Sequence, residues 1–326
     1  MSNNLRVLTS SSTRCFRTCA RKYRHRYIDC AKPLQQAPAL WLGSMVHRGL
    51  EELWRAKKEG ANASAAVERA VGALVSADVT YEIARAEAML LGYSARWYEQ
   101  DLEVLEVEVE YEQELRNPRT NHQSRTWAHK GKIDAIARIN GDVWVIEHKT
   151  SGEDIGAGSA YWRRLRLDDQ VSNYLRGARA LGYDPVGCVY DVLRKPRQRP
   201  KLATPVEKRK YTAGGLLYKG QHDSDEDPAL FRARLCEAIA ADPDYYYRRG
   251  NVVRLEGEAD EAEADLWMTG KMIRESELAN SWPRNPSACM TYNRECDYFA
   301  VCTGEASIDD PRYTQGRAHE ELSVLK

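Results

Sequence analysis

The sequence predicts an α/β fold with a mixed central sheet. Three observations predict it: strand patterns at 104–111 and 131–149, helical patterns on either side of them, and an ordinary globular composition. The 326 residues are 43% hydrophobic and 29% charged, which excludes global disorder and fibrous repeats. At ~100–200 residues per domain, this length allows one large domain or two modest ones. Lys+Arg and Asp+Glu number 48 each, so any basic surface for a polyanion must be local. No window approaches ~18 apolar residues. The start, MSNNLRVLTSSSTRC, lacks an apolar signal-peptide core. The expectation is therefore no membrane association and a cytoplasmic location.

Residues 10–29, SSSTRCFRTCARKYRHRYID, read as a helix capped by Ser11 or Ser12. Arg14, Arg17, Arg21, Lys22, Arg24 and Arg26 make it densely basic, with Phe16, Tyr23 and Tyr27 interleaved. It reads equally as a solvated face or as a phosphate-contacting one. Residues 43–58, GSMVHRGLEELWRAKK, carry apolar residues at 46, 50, 53 and 54, one buried stripe of a helix. His47 shares that face and should point inward. Helical patterns continue over 63–100. Residues 104–111, VLEVEVEY, alternate apolar and acidic positions, as a half-solvated strand does, with Glu106, Glu108 and Glu110 on the wet side.

Two strand-like runs in 131–149, GKIDAIARINGDVWVIEHK, flank Asn140-Gly141. Asn-Gly is a strong hairpin signal because both central positions of a type I′ turn need positive φ. That turn pairs 139 with 142 and places Asp134 directly opposite Glu147, with Cβ atoms roughly 4.5–5.5 Å apart. Lys149 projects from the same face as Glu147. Residues 168–182 read as a helix with Asp168 as N-cap and Gly182 as its stop, and Gln170 and Tyr174 lie on one face of it. A buried strand is expected at 186–193. The segment 194–210 is basic and irregular, and reads as a nucleic-acid loop or as a solvated one. Residues 228–240 and 259–279 are expected as helices. The last 20 or so residues carry little pattern and are expected as a tail.

Facing carboxylates repel, so Asp134 and Glu147 need an offset. A divalent cation supplies one, since hard oxygen ligands suit Mg²⁺ or Mn²⁺. Lys149 alone could also do so, as part of a surface charge cluster. In the functional reading, Asp134 and Glu147 hold the metal and a bound water becomes the nucleophile. Lys149 orients that water or stabilises charge developing on phosphorus. His47 is a candidate further ligand, and a His ligand tilts preference toward Mn²⁺. The eight cysteines are uneven: Cys15, Cys19 and Cys30 lie near the start and Cys289, Cys296 and Cys302 near the end. That distribution suits a metal or cluster site tying the two ends together. Cys188 and Cys236 read as buried or inert thiols.

Asp134, Glu147 and Lys149, in the pattern Asp-x12-Glu-x-Lys, resemble the PD-(D/E)XK nuclease superfamily. GSMVHRGLE around His47 resembles its His motif, and Gln170-x3-Tyr174 resembles the QxxxY motif of RecB-type nucleases. All occur in the expected order over 43–174. An early cysteine in CFRTCARKY plus Cys289-x6-Cys296-x5-Cys302 resembles the iron–sulfur RecB-like group: AddB-type subunits, CRISPR adaptation nucleases and phage exonucleases. Two departures stand out: Ile133 replaces the eponymous proline, and Ala20 follows Cys19 where proline is usual.

The resemblance implies a restriction-endonuclease-like core over 1–302, with a helical insert at about 50–100. It implies an iron–sulfur segment made by about 15–19 and 289–302, followed by a tail at 303–326. It implies a [4Fe–4S] cluster on Cys19, Cys289, Cys296 and Cys302, with Cys15 and then Cys30 as other choices for the early ligand; four thiolates also suit zinc. It implies Gln170 and Tyr174 at the scissile nucleotide, phosphate contacts from Arg17 and Arg21, and a metal-dependent DNA exonuclease acting in recombination, repair or phage DNA processing. A helicase, annealing or recombination protein is the partner class it suggests. The rival readings are a DNA-binding or scaffold subunit with a vestigial core, and an iron–sulfur redox sensor.

Overall fold

The computed structural model describes residues 5–34, 38–74, 80–291 and 294–322. Its first half runs β1 (Arg6–Leu8), α1 (Ser10–Thr18), α2 (Ala20–Tyr23), β2 (Ala31–Pro33), α3 (Pro38–Lys58), α4 (Ala63–Gly72), α5 (Tyr81–Trp97), β3 (Glu103–Arg116), β4 (Gln123–Ile139) and β5 (Asp142–Ser151). The second half runs α6 (Ala160–Leu165), α7 (Asp169–Ala180), β6 (Pro185–Arg194), α8 (Pro228–Ala241), α9 (Pro243–Tyr246), β7 (Tyr247–Val252), α10 (Glu256–Leu278), β8 (Met290–Thr291), β9 (Arg294–Glu295), α11 (Phe299–Thr303) and β10 (Tyr313–Gln315). Among the described residues, no helix is long and apolar enough to cross a membrane.

The main sheet is six-stranded and mixed, in the order β1-β4-β5-β6-β7 with β3 on the other side of β4. β1 runs parallel to β4 and β5 parallel to β6; the other pairs are antiparallel. The β4–β5 hairpin has the expected register, with Ile139 facing Asp142. Asn140 and Gly141 sit at φ +52° and +92°, as the turn requires. One sheet face, through Ala135, Ala137, Ile146 and Val189, packs on α3–α5 and α8. The other, through Ile133, Ile136, Val145 and Tyr190, packs on α6 and α7. The stretch expected as a helical insert thus lies directly on the sheet; residues 75–79 of it fall outside the described residues.

Two features of this layout position the site. β1 pairs with β4 only at 127–129 and β5 pairs with it only at 135–139. Between them, no strand among the described residues pairs with β4 residues 130–134 on that edge, and Ser10 and Ser11 at the start of α1 line a pocket there with Gly131, Lys132 and Asp134. The second feature is the packing of β3 against α7. A Cβ on Gly131 or on Gly177 would fall within 2.6 Å of the Tyr111 ring, so both positions keep room for that buried ring.

Three local expectations are corrected. The cap of α1 is Thr9, not Ser11 or Ser12: its hydroxyl accepts from the Ser12 N–H at 3.1 Å and the Ser12 hydroxyl accepts from the Thr9 N–H at 2.9 Å. The helix also breaks at Cys19, which is extended (φ −163°). The C-terminal segment is not a loose tail. β10 pairs antiparallel with β2, Glu321 accepts from the Thr9 hydroxyl at 2.7 Å, and Leu322 is buried. Residues 323–326 lie outside the described residues.

Candidate active site

The gap in β4 opens onto a pocket lined by Ser10, His47, Asp134, Glu147, Lys149 and Gln170, among others. The β4–β5 ladder ends at Ala135–Ile146, so Asp134 and Glu147 occupy the next facing register position. There the Asp134 side chain takes over the ladder: its Oδ2 accepts from the His148 backbone N–H at 2.8 Å. His47 Nδ1, on α3, lies 3.8 Å from the same oxygen. Glu147 is 2% exposed. Its Oε1 accepts from Lys149 Nζ and from Gln170 Nε2 at 3.1 Å, while its Oε2 is buried with no hydrogen-bond partner.

The α7 pair holds this arrangement. Gln170 Nε2 also donates to Tyr174 Oη at 2.7 Å, and Gln170 Oε1 accepts from Lys149 Nζ at 3.2 Å. Both residues are buried. Expected at the scissile nucleotide, they line the pocket and bond Glu147, Lys149 and each other, from a helix packed across β3, β4 and β6.

Electrostatics follow from burial. The Asp134 carboxyl is pushed up to about 7, by burial and then by the charge of Glu108. Glu147 is also pushed up to about 7, by burial, which the nearby Lys149 opposes and Asp134 reinforces. Burial pulls Lys149 down, but Glu147 and Asp134 more than offset it, so the ammonium is held above its ordinary value. Burial, then Lys149, lower His47 to about 4, leaving a neutral imidazole.

Pattern reading missed three residues here. The alternation of 104–111 places Glu108 on a wet face. Val107–Ala135 and Val109–Ile133 bracket it opposite Asp134; it pairs with Lys132 and its carboxyl is raised by burial. The counter-signal is a left-handed φ of +52° inside a strand, which no alternation pattern shows. Glu321 also lines the pocket, delivered by the C-terminal segment from nearly two hundred residues away in sequence. His148, between Glu147 and Lys149, is buried and polar on the face that packs against α3 and α5.

The basic side chains of α1 and α2 are already used. Arg17 donates to Asp169 Oδ2 at 2.5 Å and Thr269 Oγ1 at 2.9 Å, and Arg21 donates to the Trp282 carbonyl at 2.9 Å. These contacts tie the N-terminal region to α7, to α10 and to the segment after α10. Arg14, which bonds Asp168 at 3.0 Å and stays half exposed, is the one of this group beside the pocket. Cys19, Cys289, Cys296 and Cys302 line one small cavity where the two chain ends meet, while Asn285 Nδ2 donates to the Thr18 carbonyl at 2.8 Å across that junction. Cys15 and Cys30 do not line it; burial holds the Cys15 thiol up at about 11.

Among the described residues, no three His, Cys, Asp or Glu side chains converge closely enough to form a metal site as they stand. The donors nonetheless fit a hard cation at the carboxylates: the half-buried Asp134, the buried Glu147 with one unpartnered oxygen, and a neutral imidazole share one pocket. Four thiols around one cavity likewise have the donor chemistry of a thiolate-bound centre.

The sequence matches the family model described as PD-(D/E)XK nuclease superfamily over residues 7–303. No curated protein matches the chain. Among solved structures, the crystal structure of SSO0001 is similar to it at 17% identity and a TM-score of 0.31, over 72% of this chain and 75% of the other.

Proposed function

The chain belongs to the PD-(D/E)XK nuclease superfamily, and on that premise we propose that it is a metal-dependent DNA exonuclease acting on single strands or duplex ends. The observation that carries the reading is the convergence of Asp134, Glu147 and Lys149 on one pocket, braced by Gln170 and Tyr174. Asp134 and Glu147, with His47, would hold Mg²⁺ or Mn²⁺, which when bound lowers the pKa of water and neutralises charge on the phosphate. Lys149 keeps its proton and sits where an ammonium can orient the attacking water or stabilise the developing charge. Gln170 holds the Glu147 carboxylate through Oε1, while Oε2 has no hydrogen-bond partner and would be the free ligand oxygen. The N-terminus of α1, at Ser10 and Ser11 in the pocket wall, and the Arg14 guanidinium, 3.5 Å from the pocket-lining Gln170, would offer donors to the substrate phosphate. Cys19, Cys289, Cys296 and Cys302 would hold a [4Fe–4S] cluster that fastens the chain ends together. A helicase or annealing protein is the partner class consistent with this activity.

End-labelled linear and covalently closed circular single strands separate the possibilities. Mononucleotide or short products from linear DNA, with circles left intact, are expected. Cut circles would make the enzyme an endonuclease. Binding without cleavage under Mg²⁺ and Mn²⁺ would make it a DNA-binding subunit.

A further inference from the structure

The residue between Glu147 and Lys149 must face the opposite side of the sheet, into the layer packed by α3 and α5. Its neighbours on that face, Ile146, Val189 and Leu193, are buried and apolar. His148 is the exception. It is 3% exposed, its Nδ1 lies 3.7 Å from Asp134 Oδ2 and its Nε2 lies 3.8 Å from Asp191 Oδ2.

Register makes this a row. His148 faces Asp191 on β6, and Asp191 faces Arg249 on β7. Asp191 is fully buried; its Oδ2 accepts from Arg249 Nη2 at 2.8 Å and from Tyr93 Oη at 2.5 Å. Trp54 Nε1 donates to Tyr93 Oη at 3.1 Å, and the Trp54 ring packs against the imidazole at 5.3 Å between centroids. Burying an Arg–Asp pair and an imidazole among apolar side chains is a poor route to stability, since apolar replacements of matching volume are often neutral or stabilising. What such a row does supply is a fixed orientation.

We propose that His148 is a positioning residue for Asp134: its imidazole, held at Nε2 by Tyr93 Oη at 3.5 Å, which in turn donates to the Arg249-bound Asp191, packs within 3.7 Å of Asp134 Oδ2 and presets that carboxylate for a divalent cation. This rests on the nuclease reading of the pocket. Imidazole and backbone of one residue then act together, since the His148 N–H already binds the same oxygen. Residues that orient metal-binding side chains in this way commonly contribute about 10–100-fold to metal affinity.

The test is a Mn²⁺ titration followed by calorimetry and by the paramagnetic resonance of free Mn²⁺, on wild type, His148→Phe and His148→Asn, beside their thermal midpoints. His148→Phe removes both ring nitrogens at similar size; His148→Asn keeps a donor near the Nδ1 position. The expected result is Mn²⁺ binding weakened about 10–100-fold by His148→Phe and clearly less by His148→Asn, with thermal midpoints near wild type. A folded His148→Phe with wild-type Mn²⁺ affinity overturns the proposal. Should His148→Phe fail to fold, Tyr93→Phe, which deletes one hydroxyl from the row, carries the test: several-fold weaker binding supports it and unchanged binding overturns it. A wild type that binds no Mn²⁺ overturns the nuclease reading instead, and the two failures are thereby distinct.

Discussion

Glu108 and Asp134 face each other across β3 and β4, and that opposition adds to burial in raising the Asp134 carboxyl. Asp134 titrates near 7 because it is buried and because Glu108 adds a negative charge; Lys149, Lys132 and the His148 N–H pull the other way. A cation needs the ionised carboxylate, so cleavage should fall as pH drops through this range. Glu108→Gln removes the charge that raises Asp134. The Asp134 carboxyl then ionises at lower pH, and the acidic limb of the cleavage–pH profile moves down. A limb that stays in place, or moves up, would detach Glu108 from the site. Asp134, Glu147, Lys149, His47 and the Gln170–Tyr174 pair were all legible in the sequence, because each lies in a local pattern that fixes its face. Glu108 was not, because its role depends on a backbone irregularity rather than on a period. The partners of Arg17 and Arg21, Asp169 and Trp282, were not legible, since they are distant in sequence.

At the scale of elements, the β4–β5 hairpin does most to build the site, and a dipeptide specified it. The register that places Asp134 against Glu147 follows from the turn geometry alone. The seat of α7 is the complementary case. Gln170 reaches Glu147 only if α7 lies close to β3 and β4, and the Tyr111 ring sets that distance by filling the space left by Gly131 and Gly177. Gly131→Ala or Gly177→Ala should therefore destabilise the fold by about 1–3 kcal/mol through overpacking. Urea denaturation reads this directly. Cleavage should fall as well, because a lifted α7 withdraws Gln170. Wild-type stability in both variants would show that Tyr111 relocates freely and that the α7 contact is not closely fitted. The sequence marked both glycines only as glycines; the ring they accommodate comes from another strand.

Across the whole molecule, the two chain ends converge on the same region. The cysteine distribution anticipated that convergence, and the cavity lined by Cys19, Cys289, Cys296 and Cys302 lies there. The docking of β10 on β2, and with it the arrival of Glu321 in the pocket, was not anticipated. Residues 303–322 show no periodicity, and their place is fixed by contacts such as Lys32–Glu320 at 2.6 Å and Tyr313 Oη to the Asp297 carbonyl at 2.8 Å. If the four thiols hold a cluster, its binding free energy becomes part of the folding free energy. Protein purified without oxygen should then be brown, with iron and sulfide in equal amounts, and Cys296→Ser should be colourless and largely insoluble. Cys15→Ser should keep the colour, since Cys15 does not line that cavity. A soluble, coloured and active Cys296→Ser variant would contradict the cluster.

The central claim is that Asp134, Glu147 and Lys149 form a metal-dependent nuclease centre. Its most direct test follows cleavage of end-labelled DNA by wild type and by Glu147→Gln, each with Mn²⁺, with Mg²⁺ and with EDTA. Wild type should degrade DNA with either metal and not with EDTA, and the near-isosteric Glu147→Gln should lose at least about 10³-fold, equivalent to about 4 kcal/mol of transition-state stabilisation. Cleavage that survives in Glu147→Gln, or that proceeds unchanged in EDTA, would contradict it.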